Sequence, residues 1–563
     1  MDIISNLPTE ILSEILGCIP FHGSPGNITT CCLVSKTFNA IASRILYHHV
    51  TLACYSDCGP SKKAKEALLL PDHSSLQHIR KISVETRGAF HPPRSRHEPI
   101  GKYPSSEGIV RQMSIFLNQI IEAVGEANVD SIYLDFEDFV EYLSVPLRKK
   151  IRKLGVCLYY DGGRFPTRGP SLTPSYIRSP ATLESHTQDL SIKALTIDRI
   201  DSDFANLAPA WKVCQKNSRT LKSLRLIGSR GVPSGIDNLQ LILPGSRRLE
   251  ALEHISFEEF TWYSRRTANF ELMSVFEKLA AFYVLKNIKS FSLLECAFCS
   301  RLDVPWMRGM TNLTQLHIWN DGSLLDLGDL LSNLSQGLSS LHVSWISKEG
   351  TDTFPGKNSF KKHSQTLKKL WLVNQRYIPT CFETPLVTGQ GNDDLDLKTI
   401  SEFPLLEHLG LAISKPDSWT SWAPIFPSLK SLYLPNCVSL APRIETHQGY
   451  QRYLEAEDII SNVSDTMKDW LDWFTSPYRE IDQDGLIPSE RAEMKLQAVT
   501  VPVDPSHYGY VGGSWMCRSY FRDHSKPHAF DLSPKKLALL SYWHPEIWEF
   551  CKMGINFRGN ADS

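Results

Sequence analysis

One pattern recurs along this chain, an apolar residue followed by x-x-apolar-x-apolar. It is clearest in Leu221-Lys222-Ser223-Leu224-Arg225-Leu226 and Leu429-Lys430-Ser431-Leu432-Tyr433-Leu434. Further copies start at Ile192, Leu252, Ile288, Leu313, Leu338, Leu367 and Leu406, with weaker ones at Ile79, Val129 and Leu496. Alternation within each copy predicts a short strand with one buried face. Helical patterns fall where each copy needs a return element: Ile109–Ala127 before Val129, Phe204–Asn217 before Leu221 and Phe270–Leu285 before Ile288. A strand and helix of this length cannot bury their leucines alone, so neighbouring copies must stack.

The pattern is the strand signature of leucine-rich repeats. Copies at 313, 338 and 367, and at 406 and 429, lie within the usual repeat period of about 20 to 29 residues. Other spacings are stretched by insertions. The Asn or Cys usual eight positions after the first leucine occurs as Cys296 and Cys437 and is absent from most copies. The expected fold is α/β, an irregular leucine-rich-repeat horseshoe over residues 53–503 with parallel strands on its concave face and helices outside, then a tail or cap over 504–563.

Before the repeats, Leu7, Ile11, Leu12, Ile15 and Leu16 share one side of a short helix with Pro8 in its first turn. Asn27 is a candidate cap for a second helix, and Leu33, Val34, Phe38, Ile41, Ala42, Ile45 and Leu46 continue an apolar helical pattern. Leu-Pro-x-Glu-Ile from Leu7, Leu-Val-Ser-Lys-x-Phe from Leu33 and Arg44-Ile45-Leu46-Tyr47 together resemble the F-box, in a form similar to that of fungal members. The resemblance covers roughly residues 4 to 50 and places a three-helix domain over residues 1–52. Phe38 and Tyr47 stand where many members carry tryptophan. What the resemblance implies is docking onto a Skp-type adaptor, and through it a cullin, by Leu7, Pro8, Ile11, Ile15, Leu33, Val34 and Phe38. The chain would then be the substrate-recognition subunit of an SCF-type cullin-RING ubiquitin ligase, non-catalytic itself. The rival is a ligase-independent F-box scaffold.

Alternation along the strands turns Arg225, His317, Trp319, His342, Trp371 and Tyr433 to the face opposite the leucines. Arginine and aromatic residues are frequent interface anchors, so these six are the candidate contacts to an unknown protein target. Lys+Arg 60 against Asp+Glu 61 leaves a net charge of -1, which argues against a nucleic-acid partner. No apolar run is long enough to span a membrane and thirteen cysteines form no even framework, so an intracellular protein is expected, cytoplasmic or nuclear. Cys296 and Cys299 make a lone C-x-x-C without the other ligands of a zinc site, and no catalytic motif or cofactor signature occurs. The inserts His91–Ser106, Asp161–Asp189 and Gln375–Asp396 are rich in loop formers, and Tyr450–Phe474 reads as a helical insert carrying Trp470 and Trp473.

Overall fold

The structure, a computed structural model, describes residues 34–55, 59–60, 66, 68, 74–87, 106–135, 137–157, 190–200, 207–228, 248–258, 284–296, 307–320, 327–345, 357–374, 400, 402–411, 428–433, 498–503, 516–521 and 530–532. Leu7, Pro8, Ile11, Ile15, Leu33 and the helical insert lie outside these residues, as do the three loop-rich inserts apart from Ser106. The chain divides into two compact units, Met1–Ala268 with Glu277–Asn287 and Asp562–Ser563, and Asn269–Phe276 with Ile288–Ala561. The division therefore falls inside the span expected to form one repeat domain.

The first unit carries helices α1 (Lys36–Tyr47), α2 (Ser106–Val124), α3 (Val145–Arg148) and α4 (Ala208–Lys216). Its strands are β1 (His49–Tyr55), β2 (Gly59–Pro60), β3 (Lys81–Arg87), β4 (Ser131–Leu134), β5 (Ile151–Cys157), β6 (Ala194–Ile200), β7 (Ser223–Gly228) and β8 (His254–Glu258). From β3 to β8 each strand pairs in parallel with the next; β1 pairs in parallel with β3 and antiparallel with β2.

In the second unit β9 (Ser290–Cys296), β10 (Gln315–Asn320), β11 (Ser340–Trp345), β12 (Lys369–Asn374), β13 (His408–Leu411), β14 (Ser431–Tyr433) and β15 (Ala498–Val503) are parallel. β16 (Met516–Phe521) and β17 (Phe530–Leu532) add antiparallel strands to β15, so residues read as tail or cap extend the sheet. Helices α5 (Leu327–Asn333) and α6 (Lys357–Phe360) return between strands.

Most repeats hand over to the next in the same way. The carbonyl after the first apolar residue accepts two successive N–H groups of the following repeat. Lys193 O receives Lys222 and Ser223, Thr314 O receives Ser339 and Ser340, and Lys368 O receives Glu407 and His408. The first residues themselves, from Ile79 and Val129 through Leu406 and Leu429, are all buried, which is the repeated core. A copy the sequence analysis passed over, Ile151-Arg152-Lys153-Leu154-Gly155-Val156, forms β5, with Ile151 and Leu154 fully buried. Cys296, at the end of β9, is buried and its thiol lies 3.3 Å from the Leu294 carbonyl.

A side-chain staple joins two of these handovers. Asn217 Oδ1 accepts the Ile192 N–H at 2.8 Å, its Nδ2 donates to the Val213 carbonyl at 2.9 Å, and Thr220 Oγ1 donates to the Ile192 carbonyl at 3.1 Å. In the second unit His363 Nδ1 accepts the Leu338 N–H at 2.9 Å, and Thr366 Oγ1 donates to the Leu338 carbonyl at 2.8 Å. Because Nδ1 accepts, Nε2 carries the imidazole proton and donates to the Leu331 carbonyl at 3.0 Å. The signal was in the sequence: Ser-x-Thr-Leu-Lys-x-Leu follows directly after Asn217 and after His363. Asn217→Ala strands a buried N–H and is expected to lower stability by about 1–3 kcal/mol in denaturant unfolding, with Thr220→Ala smaller.

Candidate functional site

The described end of the N-terminal module begins with Ser35, whose hydroxyl accepts the Phe38 N–H at 3.2 Å and so caps α1. Val34 lies in the turn before α1 and is 65% exposed, so the apolar helical pattern read from Leu33 onward is interrupted by the cap at Ser35. Phe38 is half-buried in the first turn of α1, while Ile41 and Ala42 are buried. The chain leaves α1 straight into β1, whose register with β3 runs from His49↔Lys81 to Tyr55↔Arg87. The segment read as the end of a separate module is thus the first strand of the sheet.

Strand register brings the second unit's candidates into one row. Ser292, His317, His342, Trp371, Gly410 and Tyr433 stand opposite one another across β9 to β14, and Trp319 faces Ser344 one step along. His317 is half-buried, its Nδ1 3.5 Å from Ser292 Oγ and its Nε2 3.4 Å from Ser340 Oγ. Its ring centroid lies 5.9 Å from that of His342, which lies 4.8 Å from that of Trp371. The Trp371 indole N–H donates to Ser344 Oγ at 2.9 Å.

Burial separates these candidates. Trp371 is 2% exposed and His342 is 3% exposed, so both pack the sheet face and have almost no surface to offer a partner. The expectation that they anchor a target is corrected accordingly. His317 and Trp319 keep partial exposure, and the Tyr433 side chain lies outside the description. Gly410 stands beside Trp371 because a Cβ there would come within 2.5 Å of the indole.

His408, also buried, has Nδ1 2.6 Å from Ser431 Oγ. Burial, with Lys369 beyond it, lowers the pKa of His317 to about 4; burial, then Lys369 and Lys430, lowers that of His408 to about 3. Burial and then His317 hold His342 well below its ordinary value. These three imidazoles, His317 and His342 in the row and His408 beside it, are neutral at physiological pH and act as hydrogen-bonding packing groups.

Arg225, in the first unit, is exposed on β7, and Glu258 on β8 engages it by two bonds, Nε to Oε1 at 2.7 Å and Nη2 to Oε2 at 2.5 Å. Ser256 Oγ donates to the same carboxylate at 2.9 Å. The guanidinium is oriented and its charge is balanced locally, which suits a hydrogen-bonding contact better than attraction at a distance. Among the described residues no group of three or more His, Cys, Asp or Glu is placed to hold a metal ion. Among them too, no helix is long and apolar enough to cross a membrane.

Residues 4–53 match the F-box-like family model. No curated protein matches the chain. Among solved structures the chain is similar to one described as the crystal structure of a TLR13–ssRNA13 complex. That likeness has 15% identity over 64% of this chain and 40% of the other, with a TM-score of 0.27. At such a score it supports no inference, and the chain spans less than half of that protein. The repeat architecture rests instead on the strand register and the recurring handovers described above.

Proposed function

We propose that this chain, an F-box-like domain leading into an irregular leucine-rich-repeat-like α/β array, is the target-recognition subunit of an SCF-type cullin-RING ubiquitin ligase. The observation that carries the reading is the F-box-like match over residues 4–53, whose final residues are seated in the repeat sheet as β1. The N-terminal segment would hold a Skp-type adaptor through Leu7, Pro8, Ile11, Ile15, Leu33, Val34 and Phe38. Val34 is exposed and therefore open to such a contact, whose burial would be favourable. The sheet face would hold a protein target, with Arg225, His317 and Trp319 the accessible members of the original set and Tyr433 a further candidate.

Such a subunit transfers nothing itself. It raises the effective concentration of a target's lysines beside an activated ubiquitin carried elsewhere in the complex. A sheet whose first strand is part of the adaptor-binding segment suits that role, since no flexible linker intervenes between α1 and the array.

Co-expression with a Skp-type adaptor tests the reading. The wild-type chain is expected to co-purify with the adaptor and a cullin, and the Leu7→Ala, Pro8→Ala, Ile11→Ala triple variant to lose both while keeping its circular dichroism. An adaptor complex from which the cullin is absent would favour a ligase-independent scaffold. No adaptor complex at all would remove the ligase reading.

A further inference from the structure

The entry edge of the first unit's sheet, where chain coming from the outer helices turns into the strands, holds an arrangement of charge that packing does not require. Lys193 donates its N–H to the Arg152 carbonyl, and Lys222 donates its N–H to the Lys193 carbonyl. Arg152, Lys193 and Lys222 therefore occupy the same position in three adjacent repeats, on strands about 4.8 Å apart. Like charges set directly beside one another across strands are destabilising. Lys193 and Lys222 are exposed and Arg152 is half-buried. Acids bound the row on both sides: Asp130, exposed, holds this position in the preceding repeat, and Glu253 in the following one meets Lys222 at 2.8 Å.

Neighbouring cations on this edge are held by backbone carbonyls, which fix their direction and leave their charge intact. Arg152 Nη1 donates to the carbonyls of Lys149 and Ser191 at 3.1 and 3.2 Å, and Lys150 Nζ to the Glu126 carbonyl at 2.7 Å. Arg80 Nη1 donates to the carbonyls of Gln77, Ile79 and Asn128. The partial negative charge at helix C-termini, which lie on this edge, accounts for the sign of these residues. It does not account for the uninterrupted row. In the second unit the same position runs Lys289, Thr314, Ser339, Lys368, Glu407 and Lys430, in which no two cations are adjacent, and Lys430 pairs with Glu407 at 3.0 Å.

We propose that the row Arg152, Lys193 and Lys222 is a docking strip for an extended acidic segment of a protein target, laid across the strand-entry edge so that its carboxylates relieve the repulsion. The strip is separate from the sheet-face row of Arg225. It rests on the receptor reading only in taking the bound segment to be part of a target; the binding itself needs no adaptor. Charge at this edge steers association and selects acidic sequences more than it adds tight affinity.

Fluorescence polarisation with the full chain and a labelled polyglutamate peptide tests it, with a Gly/Ser peptide of equal length and an oligothymidylate of matched charge as competitors. Binding to polyglutamate is expected at low salt, to weaken as salt rises, and to fall about tenfold in the Lys193→Gln, Lys222→Gln double variant. Lys430→Gln, at the same position in the second unit but with no cation beside it in the row, should change nothing. Equal binding by the double variant at an unchanged melting temperature, or an equal loss in Lys430→Gln, would overturn the strip. Tighter competition by oligothymidylate than by polyglutamate would overturn the protein-segment assignment. Adaptor capture, measured on the same preparations, reports separately: its failure beside intact, Lys193-dependent peptide binding would count against the receptor reading alone.

Discussion

Trp371→Ala is expected to cost about 3–5 kcal/mol in denaturant unfolding followed by circular dichroism, the largest single loss of any substitution on the sheet face. The indole is 2% exposed, stacks obliquely on His342 and donates to Ser344, so truncation removes packing, opens a cavity and strands a hydroxyl partner together. Gly410→Ala should act on the same feature from the other side, because its Cβ would meet the indole at 2.5 Å with the sheet backbone fixed beneath it. Overpacking of this kind typically costs about 1–3 kcal/mol. A double variant carrying both changes should be less destabilised than the sum, since the alanine at 410 has no ring to strike. A strictly additive result would show that the two positions are not coupled.

The second large effect is on pH. His317 and His408 have pKa values lowered to about 4 and about 3 in the folded chain, from an ordinary value of 6.5. The unfolded chain therefore takes up protons that the folded one refuses, and stability present above about pH 6.5 is lost as pH falls towards the folded values. Each histidine contributes a slope of about 1.4 kcal/mol per pH unit in that window, so the two together remove roughly 4 kcal/mol between about pH 7 and pH 5. Carboxylates add their own acid sensitivity, so the decisive comparison is between the wild type and a His317→Gln, His408→Gln variant. Its melting temperature should fall less between those two pH values, even if it starts lower. Parallel curves for the two proteins would mean that these imidazoles are not kept neutral by the fold.

These two predictions also mark where the sequence stops being readable. The strand starts were legible because a buried first residue and period-two alternation repeat, and every expected start within the described residues proves buried. Ile151 was missed because it follows only the four-residue α3, which leaves no helical pattern long enough to announce a new repeat. β1 was missed because its residues also complete the F-box pattern, and one segment serves both. Alternation assigned His317, His342, Trp371 and Tyr433 to the face opposite the leucines, and the strand register, which no single copy of the pattern contains, sets these four positions opposite one another. Alternation could not say which of them stay wet. The match of a tryptophan to a glycine 39 positions later, Trp371 to Gly410, is a tertiary fit that no local window contains. The break between the two compact units near residue 288 is likewise invisible, because Leu252 and Ile288 both open ordinary copies of the pattern.

The pairing of β1 with β3 has a practical corollary for anyone who wishes to graft one half of this protein onto another. A cut at residues 52 and 53, where the sequence invites it, would pass through the middle of a strand and leave Ile82 and Val84 without their parallel neighbours Val50 and Leu52. A donor array would receive half a strand and the recipient would expose a raw sheet edge, the kind of surface that recruits other chains. Chimaeras that retarget such a protein should carry β1 and β3 together, so that the join falls beyond Arg87 and the heterologous repeats meet a finished strand.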